Sequence, residues 1–455
     1  MGVAAELHES MKPDKQPPKE SSRREFIKTT STVAAASVVA ANLNLKTTAL
    51  AADENTLKVG LIGCGGRGTG AANQALNADA NVVLTAMGDA FEDRLIGSMN
   101  SLKRQLGDRI QVDEGHRFIG FDAYQKVIDS DVDVVILTTP PGFRPLHLKA
   151  AIGAGKHVFC EKPMAVDAPG VRQVLAAAKE AQSKNLALVA GFCWRYHSSV
   201  RETMRRIHHG EIGDLVALHN YYNTGPLWVK PRKEEWNEMT AQMRNWYYHA
   251  WLGGDHIVEQ AVHSIDKMAW AMQDIPPLLA IAQGGRQVRT GEDYGHIFDH
   301  FSVVYEYPNG IRGFHQSRQQ ANCASGVGDH IMGTKGIAKI SGGGQGIILG
   351  NRKWRYQGPT PNMYQVEHNE LFASIRSGQP INDGQWMAQS TLLAIMGRMA
   401  TYTGQAITWD QALNSKQDLT KWVLDQEDTE GDPSYSWDAK VRTLPVAMPG
   451  ITKFV

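Results

Sequence analysis

The sequence predicts an α/β protein with a doubly wound parallel sheet, followed by an α+β domain with a large, mostly antiparallel sheet. Three observations predict this fold class. An apolar strand at 57–62 meets a glycine-rich turn that opens a helix. Apolar strands alternate with helical stretches up to residue 191, as in a parallel sheet covered on both faces. Beyond residue 191 the strands follow one another without regular helices between them.

The length of the chain limits the number of domains, and its net charge limits the classes of partner that it can attract. The chain has 455 residues, enough for two domains of ordinary size plus appendages. Lys plus Arg and Asp plus Glu both number 47, so no strong field recruits nucleic acid or anionic lipid. We expect a neutral small-molecule partner, no nucleic acid and no stable membrane anchor, because the body lacks an apolar stretch of spanning length.

Residues 1–52 are expected to be a leader rather than part of the fold. A polar stretch at 1–20 predicts disorder. The paired Arg23 and Arg24, a weakly apolar run at 33–45 and an A-x-A site ending at Ala51 then resemble a twin-arginine export signal. This predicts a periplasmic or otherwise exported protein; the alternative is a disordered basic tail.

The first domain is expected over residues 53–191. Its strand candidates lie at 57–62, 81–87, 132–138, 157–160 and 186–190, and helical stretches occupy 146–154 and 171–182. These apolar strands and amphipathic helices predict a Rossmann-type sheet.

The turn after the first strand carries a G-x-G-x-x-G pattern at Gly63, Gly65 and Gly68. Such glycines allow a tight turn, the approach of a pyrophosphate and close packing of helix on strand. Asp89 follows at the spacing where an acid bonds a ribose hydroxyl. The pattern predicts dinucleotide binding; the alternative is a plain glycine-rich turn with a solvated acid.

Two further loop residues, Gly66 and Arg67, are expected to contact the same cofactor. Arg67 is placed to lie over the pyrophosphate or to touch a 2′-phosphate. Asp89 would repel that phosphate, so NAD is favoured over NADP.

The second domain is expected over residues 192–455. Strand candidates at 215–222, 301–307, 311–316 and 336–340 include a hairpin at Pro308, Asn309 and Gly310. Helices are predicted at 263–272 and 387–402, and residues after 408 as a tail over the body. An open antiparallel sheet has to be covered, which favours a homodimer or homotetramer.

Four segments carry the chemistry-bearing residues. They are T-T-P-P at 138–141 with His147 after it, A-G-K-H-V-F-C-E-K-P at 154–163, G-F-C-W-R-Y at 191–196, and the stretch 253–266 with its E-x-x-x-H pair. On these segments the chain resembles the glucose–fructose oxidoreductase/inositol dehydrogenase/MocA family from about residue 57 to about 406. The resemblance implies a nicotinamide cofactor, a sugar or cyclitol substrate, and no metal.

The resemblance assigns catalysis to Lys162 and His263. Lys162 lies just past a strand end, where ligands of such sheets bind. In an apolar cleft its pKa is expected to fall, so that it shares the proton of the reacting hydroxyl. His263 is then the general base, with Glu259 four residues before it on one helix face. The family more often has Asp at position 259 and Gly at Ala261.

The remaining assignments divide between cofactor and substrate. The cofactor is expected to contact Thr139, Pro140, His147 and Glu161, and Lys162 is expected to contact both cofactor and substrate. The substrate is expected to contact Arg195, Tyr196, Trp246, Glu259, His263 and Asp266. The alternatives are a structural arginine at a strand end and aromatic residues that serve packing. Asp255 and His256 near His263 could suggest a metal, which the resemblance does not imply.

Together these features predict an exported NAD-dependent oxidoreductase that moves hydride to or from a secondary hydroxyl of a sugar, glycoside or cyclitol. Free cofactor should be scarce outside the cytoplasm, so we expect the dinucleotide to be held tightly and recycled. Two alternatives stay open. One is an NAD-dependent glycoside hydrolase or lyase that oxidises the sugar transiently; the other is a non-catalytic sensor of NAD and sugar.

Overall fold

Over residues 56–454, the strands form two sheets, one of six strands and one of nine. A computed structural model describes residues 56–454, and the predicted export signal over 1–52 lies outside these described residues. The predicted fold class is confirmed, because the first sheet is parallel throughout and the second is mostly antiparallel.

The first sheet has the strand order β3-β2-β1-β4-β5-β6. Its strands are β1 (Leu57–Ile62), β2 (Val82–Asp89), β3 (Arg117–Ile119), β4 (Val134–Leu137), β5 (His157–Cys160) and β6 (Leu188–Ala190). The short strand β3 was not predicted, since three residues carry no readable period. The order reverses between β1 and β4, and ligands of open α/β sheets bind in the crevice at this point.

Helices cover both faces of this sheet, because its central strands are apolar along their length. Strand β4 is buried at all four positions. The covering helices are α1 (Gly66–Ala78), α2 (Glu92–Leu106), α3 (Ala123–Asp129), α4 (Arg144–Gly153) and α5 (Ala168–Ser183). Burial on two faces explains why the sequence shows continuous apolar runs rather than alternation.

The second sheet has the order β14-β13-β12-β11-β7-β10-β9-β8-β15. Its strands are β7 (Leu215–Thr224), β8 (Leu279–Gly285), β9 (His300–Glu306), β10 (Arg312–Gln319), β11 (Gly326–Gly333), β12 (Gly336–Ser341), β13 (Gly346–Gly350), β14 (Trp354–Arg355) and β15 (Ile407–Thr408). The predicted hairpin joins β9 to β10, with Asn309 at φ 63° in the turn. Among the described strands of this second sheet, β7 and β10 are the one pair that runs in parallel.

The helices of the second part are α6 (Ser198–His208), α7 (Glu238–Arg244), α8 (Ala250–Gly253), α9 (His256–Glu259), α10 (Val262–Ala271), α11 (Met363–Arg376), α12 (Gly384–Thr403), α13 (Trp409–Asn414) and α14 (Leu419–Val423). Two of them, α10 and α12, confirm the helices predicted at 263–272 and 387–402. Both pack against the second sheet, on the face that buries Leu218, Val303 and Ile331.

Contacts cross the division expected at residue 191. Helix α11 packs against α1, and the main chain at Leu188 pairs with Ile381 at an N···O distance of 2.8 Å. The tail after 408 also reaches the first part, where the Trp437 ring lies 4.4 Å from that of Phe121. The two sheets therefore share one set of supporting helices and loops. Within residues 56–454, no helix is both long and apolar enough to cross a bilayer.

Candidate active site

The turn between β1 and α1 has no room for a side chain at Gly63 or Gly68. A Cβ on Gly63, whose φ is +94°, would lie 2.6 Å from the Thr139 nitrogen. A Cβ on Gly68 would lie 1.9 Å from the Gly63 carbonyl oxygen. At Gly65 and Gly66 an added Cβ would meet nothing within 4 Å, so this side of the turn is open to a ligand. The turn is built for close approach of a phosphate to the main chain.

A cavity of about 590 Å³ opens in front of this turn. The glycine turn, the end of β2, the loop after β4 and a segment that follows β7 form its walls. The predicted site residues among the lining are Gly63, Gly65, Gly66, Arg67, Gly68, Asp89, Thr139, Pro140, His147 and Trp246. A volume of this size suits a dinucleotide. Open main-chain N–H groups at a helix start, with a carboxylate at the end of β2, make a donor and acceptor set that fits NAD.

Asp89 occupies the expected place at the end of β2 and lines this cavity. Its oxygens accept hydrogen bonds from the Cys64 nitrogen at 2.6 Å and the Phe91 nitrogen at 2.9 Å. Burial raises the pKa of Asp89 above its ordinary value, although these bonds oppose the rise. The carboxylate therefore fixes the glycine turn in addition to facing the ribose position.

A second cavity, of about 420 Å³, adjoins the first and contains the residues predicted to be catalytic. The two cavities share Arg67, Thr138, Thr139 and Trp246 as wall residues. Lys162, Glu259 and His263 all line the second cavity, together with Glu161 and the aromatic residues Trp194, Tyr222 and Tyr364. A nucleotide site and a site with acid–base groups thus meet at one wall.

Lys162 enters this cavity from the end of β5, next to a cis peptide bond with Pro163. Its Nζ donates to the Glu259 carbonyl oxygen at 2.6 Å and to Glu259 Oε1 at 3.0 Å. Burial lowers the pKa of Lys162, but Glu259 and Glu161 more than offset this, and the pKa is raised overall. The expected fall is therefore wrong: two carboxylates keep Lys162 an ammonium.

His263 is kept neutral by the same surroundings. Burial first, and then the charges of Lys162 and Lys267, hold its pKa well below the ordinary value. Its Nδ1 is buried and has no hydrogen-bond partner among the described residues. Phe192 packs against the imidazole edge-to-face, with ring centroids 6.2 Å apart. A neutral imidazole beside an ammonium is a pair that can accept one proton and donate another.

Glu259 does not pair with His263, contrary to the spacing argument. Helix α9 ends at Glu259 and α10 begins at Val262, so the two residues do not lie on one continuous helix. The Glu259 carboxylate forms an ion pair with Lys162 instead. The structure thus places Glu259 as the partner of the lysine.

Arg67 reaches away from the open side of its own turn. Its Nε donates to Glu161 Oε1 at 2.5 Å, and its NH2 group lies 3.4 Å from Glu367 Oε1. The guanidinium also lies 5.0 Å from the centroid of the Tyr364 ring. Glu367 and Tyr364 belong to α11, and sequence reasoning missed both because that helix is distant in the chain. Arg67 is thus one of the residues that line both cavities.

Thr139 and His147 contact each other beside the nucleotide cavity. Thr139 Oγ1 lies 3.2 Å from His147 Nδ1, and the imidazole stacks on Tyr124 with a centroid distance of 4.1 Å. Burial, with Arg144 adding to it, lowers the pKa of His147 to about 3. A neutral, stacked imidazole shapes this wall rather than transferring protons.

Three residues expected on the substrate side, Arg195, Tyr196 and Asp266, lie outside the walls of both cavities. Arg195 is buried in ion pairs with Asp266 and Asp274, at 2.9 Å and 2.6 Å. The Tyr196 hydroxyl donates to Asp383 Oδ2 at 2.7 Å. Each of the three side chains has a polar partner inside the protein, so the structural alternative describes them better than substrate binding.

The side chains of Asp255 and His256 are also buried and hydrogen-bonded inside the protein. Asp255 Oδ2 accepts from the Phe298 nitrogen at 2.8 Å and from the Tyr402 hydroxyl at 2.5 Å. His256 Nε2 lies 3.1 Å from Ser317 Oγ. Over residues 56–454, no group of three or more His, Cys, Asp or Glu side chains is arranged to hold a metal ion.

Sequence reasoning missed part of the nucleotide cavity. Trp228, Lys230, Met243 and Arg244 line it, all from the segment 225–248 that follows β7. The density of aromatic residues there was the one available signal. We call this segment the strap, because it runs from the second sheet to the wall of the nucleotide cavity.

Comparison with known proteins now adds to this geometry. Residues 57–188 match the family model described as "Oxidoreductase family, NAD-binding Rossmann fold", and residues 200–339 match the "GFO/IDH/MocA C-terminal domain". The chain is 28% identical over 56% of its length to an inositol 2-dehydrogenase 3 of Saccharopolyspora erythraea. It is 29% identical over 46% of its length to a 2,7-anhydro-N-acetylneuraminate hydratase of Escherichia coli.

These two matches take in 65% and 51% of the relatives' own lengths. Among solved structures, an aldose-aldose oxidoreductase from Caulobacter crescentus, complexed with glycerol, shares the fold at a TM-score of 0.62 and 19% identity. That match covers 78% of this chain and 100% of the other. The two family models together take in more than half of the sequence. The chain therefore belongs to the Gfo/Idh/MocA oxidoreductase family, with its NAD-binding Rossmann fold.

Proposed function

We propose that this protein is an exported, NAD-dependent oxidoreductase that transfers hydride between the cofactor and a secondary hydroxyl of a sugar, glycoside or cyclitol. The observation that carries the proposal is the meeting of Lys162 and His263 in a cavity that shares a wall with the nucleotide cavity. An alcohol carbon in the second cavity would then lie beside the acid–base pair and face the cofactor.

The side chains divide the proton chemistry between them. His263, being neutral, accepts the proton of the reacting hydroxyl. The Lys162 ammonium donates a hydrogen bond to the same oxygen and stabilises the negative charge that develops there. Glu259 and Glu161 keep that ammonium charged. A nicotinamide cofactor, held by the glycine turn and Asp89, would supply the hydride acceptor or donor for the alcohol carbon.

The cavity walls favour a neutral, ring-shaped polyol. Trp194, Tyr222 and Trp246 offer aromatic faces to the C–H faces of a sugar ring. The charges at the wall are balanced, since Arg67 and Lys162 are paired with Glu161 and Glu259. A strongly charged substrate would have to break one of these pairs.

We further propose that the cofactor is held tightly and recycled by a second sugar. The strap supports this, because it lines the same cavity as the glycine turn although it belongs to the second part of the chain. Export by the twin-arginine pathway, proposed from Arg23, Arg24 and the run that follows, gives the physiological reason. Expression with and without residues 1–52, followed by cell fractionation, tests the export proposal.

The test of activity starts with mass spectrometry of gently denatured protein, to identify the bound dinucleotide. The protein is then mixed with a panel of sugars, glycosides and cyclitols and followed at the nicotinamide absorbance. We expect Lys162→Ala and His263→Ala to lower turnover by about 10²–10⁴-fold, while the exposed control Lys126→Ala keeps it. Full turnover in either site variant would overturn the assignment.

A second candidate keeps the cofactor but has no net redox change. The relative named as a hydratase motivates it, since hydration leaves the oxidation state of the substrate unchanged overall. In that case Lys162 and His263 would serve a transient oxidation followed by elimination or water addition. Product formation from a glycoside with no accumulation of NADH would select this candidate, and steady NADH formation would select the dehydrogenase.

We also propose a homo-oligomer formed through the second sheet. In the part of the chain that the structure describes, helices α10 and α12 pack on the face of that sheet that buries Leu218, Val303 and Ile331. On the other face Ile281, Phe314 and Leu349 are 43%, 37% and 41% exposed. A sheet face that exposes apolar side chains across several strands suits burial against a second copy.

A further inference from the structure

Gln260 lies in the break between α9 and α10, and its side chain lines the second cavity. Its main-chain carbonyl oxygen accepts a hydrogen bond from the His263 nitrogen at 3.2 Å, which fixes the residue at the start of α10. Glu259, directly before it, and His263 line the same cavity. The Gln260 amide therefore lies beside the groups proposed to move the proton.

A second glutamine, Gln319 at the end of β10, holds the Gln260 amide. Gln319 Nε2 donates to Gln260 Oε1 at 2.7 Å and to the Tyr247 hydroxyl oxygen at 2.9 Å. Gln319 is 1% exposed and Tyr247 is 2% exposed, so neither side chain can turn to bulk water. The contact between the two amides thus lies in the protein interior, where an unmade hydrogen bond is costly.

Arg289 determines which way both amides point. Its guanidinium is buried, and it donates to Gln319 Oε1 and, at 2.7 Å, to the Phe298 carbonyl oxygen. A guanidinium has donors only, so the Gln319 atom that faces it has to be the carbonyl oxygen. The NH2 group of Gln319 then faces Gln260, and the Gln260 atom that it meets has to be an acceptor, which is Oε1.

This arrangement leaves the NH2 group of Gln260 for the cavity. Within the part of the chain that the structure describes, Gln260 Nε2 donates no hydrogen bond. The side chain is half-buried and lines the second cavity. An amide nitrogen with two unshared protons at a cavity wall is a donor for whatever occupies that cavity.

We propose that Gln260 contacts the substrate as a hydrogen-bond donor, with Gln319 and Arg289 as positioning residues that keep its NH2 group toward the second cavity. The inference rests on the proposed oxidoreductase function and adds a specificity determinant to it. The contacted group is a second oxygen of the substrate, apart from the reacting hydroxyl, because an N–H needs a lone pair to bond. A protonated amine in that place offers no lone pair and would meet the Lys162 ammonium in the same cavity.

The test measures kcat and KM of the full chain with NAD. The probe is whichever of myo-inositol, D-glucose and methyl β-D-glucopyranoside, or else of the wider panel of sugars, glycosides and cyclitols, gives the highest kcat/KM. Its monodeoxy analogues, each lacking one hydroxyl, are then compared with it in the wild-type protein and in the variants. This comparison isolates the bond between one hydroxyl and one side chain.

We expect the loss of one particular hydroxyl to lower wild-type kcat/KM about tenfold, mostly through KM, because that hydroxyl no longer bonds Gln260. Gln260→Leu should lower kcat/KM for the parent compound by a similar factor, and the same deoxy analogue should then equal the parent within about twofold. Gln319→Glu should act alike, since a glutamate accepts from Arg289 but cannot donate to Gln260 Oε1. The Gln260 amide would then turn its NH2 group inward.

Gln182→Glu is the matched control, because it makes the same exchange at an exposed position on α5. It should leave kcat/KM and the ranking of the deoxy analogues unchanged. Dinucleotide affinity reports whether each variant is folded, since neither Gln260 nor Gln319 lines the nucleotide cavity. Gln260→Leu, at a half-buried position, carries the test alone if Gln319→Glu does not fold.

The same ranking of deoxy analogues in wild-type protein and in Gln260→Leu would overturn the inference and leave the proposed function standing. A changed ranking in Gln260→Leu, with a wild-type ranking in folded Gln319→Glu, would overturn the positioning part assigned to Gln319 and Arg289. Turnover of no compound in the panel by the wild-type protein would remove the proposed function itself, and this inference with it.

Discussion

The proposed acid–base pair, Lys162 and His263, owes its protonation states to burial and to the charges that surround it. Lys162 lies between Glu259 and Glu161 and stays an ammonium, whereas His263 lies near Lys162 and Lys267 and stays neutral. Each side chain therefore favours the protonation state that its partner needs. The carboxylates stabilise the positive charge on Lys162, whereas burial and the two lysines disfavour a positive charge on His263.

The surroundings of His263 predict how activity depends on pH. His263 must be neutral to accept a proton, and burial and two lysines place its pKa well below the ordinary 6.5. Activity in alcohol oxidation should therefore be lost only as pH falls through that lowered value. We expect the acid limb of the kcat/KM profile to lie below pH 6.5. A limb at or above that pH would contradict the assignment.

Glu259→Gln extends this prediction to Lys162. Because Glu259 raises the pKa of Lys162, its removal should lower that pKa and move the alkaline limb of the profile to lower pH. Glu235→Gln, at an exposed carboxylate far along the chain, is the matched control and should leave both limbs in place. An unchanged alkaline limb in Glu259→Gln would argue against an ammonium role.

Gly68 gives a prediction about the glycine turn. An alanine there would place Cβ 1.9 Å from the Gly63 carbonyl oxygen, so the turn must move. We expect Gly68→Ala to lower the free energy of unfolding by about 1–3 kcal/mol and to abolish dinucleotide binding. Gly97→Ala, in the interior of α2 with nothing within 4 Å, should raise stability by about 0.5–1 kcal/mol. Urea unfolding and dinucleotide titration would measure both effects.

At the scale of elements, the break between α9 and α10 decides the layout of the site. Residues 260 and 261 separate the two helices, so Glu259 faces Lys162 while His263 enters the cavity from the start of α10. A continuous helix would have stacked the carboxylate and the imidazole one turn apart. The break thus provides two independent groups in place of one dyad.

The contacts of the strap predict how firmly the protein holds its dinucleotide. Arg244 fastens it to the first part of the molecule through the Asp93 ion pair and the Phe91 ring. Arg244→Ala removes both contacts, and we expect the dinucleotide to dissociate about fivefold faster. Arg232→Ala is the control, since Arg232 pairs with Glu238 inside the strap itself. Cofactor retention during gel filtration would measure the effect, and equal retention in the two variants would refute it.

At the scale of the whole molecule, residues from both parts of the chain, each with its own kind of sheet, line the second cavity. The parallel sheet supplies the glycine turn and Lys162, and the helices behind the mixed sheet supply His263. Helix α11 and the tail return to the first part and tie the two halves together. The site is complete only when both halves are folded.

The exposed face of the mixed sheet yields the last prediction. If it joins two copies, Phe314→Asp should shift the protein to a smaller species, because a buried charge has no partner there. Ile119→Asp, at a residue 44% exposed on the short strand β3, should leave the assembly unchanged. Light scattering coupled to gel filtration measures both. An unchanged mass in Phe314→Asp would place the interface elsewhere or exclude it.

The sequence by itself determined the fold class, the glycine turn, Asp89, and the candidacy of Lys162 and His263. Each of these depends on local spacing: apolar runs, glycines where a Cβ cannot fit, and short motifs at strand ends. Strands β1 and β5 even have the predicted bounds. Local patterns survive folding because the main chain near each motif has few alternatives.

Only the tertiary structure decided which groups meet. It paired Glu259 with Lys162 rather than His263, buried Arg195 with Asp266 and Asp274, and brought Glu367 to Arg67. It also carried Lys230 and the strap to the nucleotide cavity. Such contacts join residues far apart in sequence, and they depend on burial, helix breaks and competing charges that no spacing rule records.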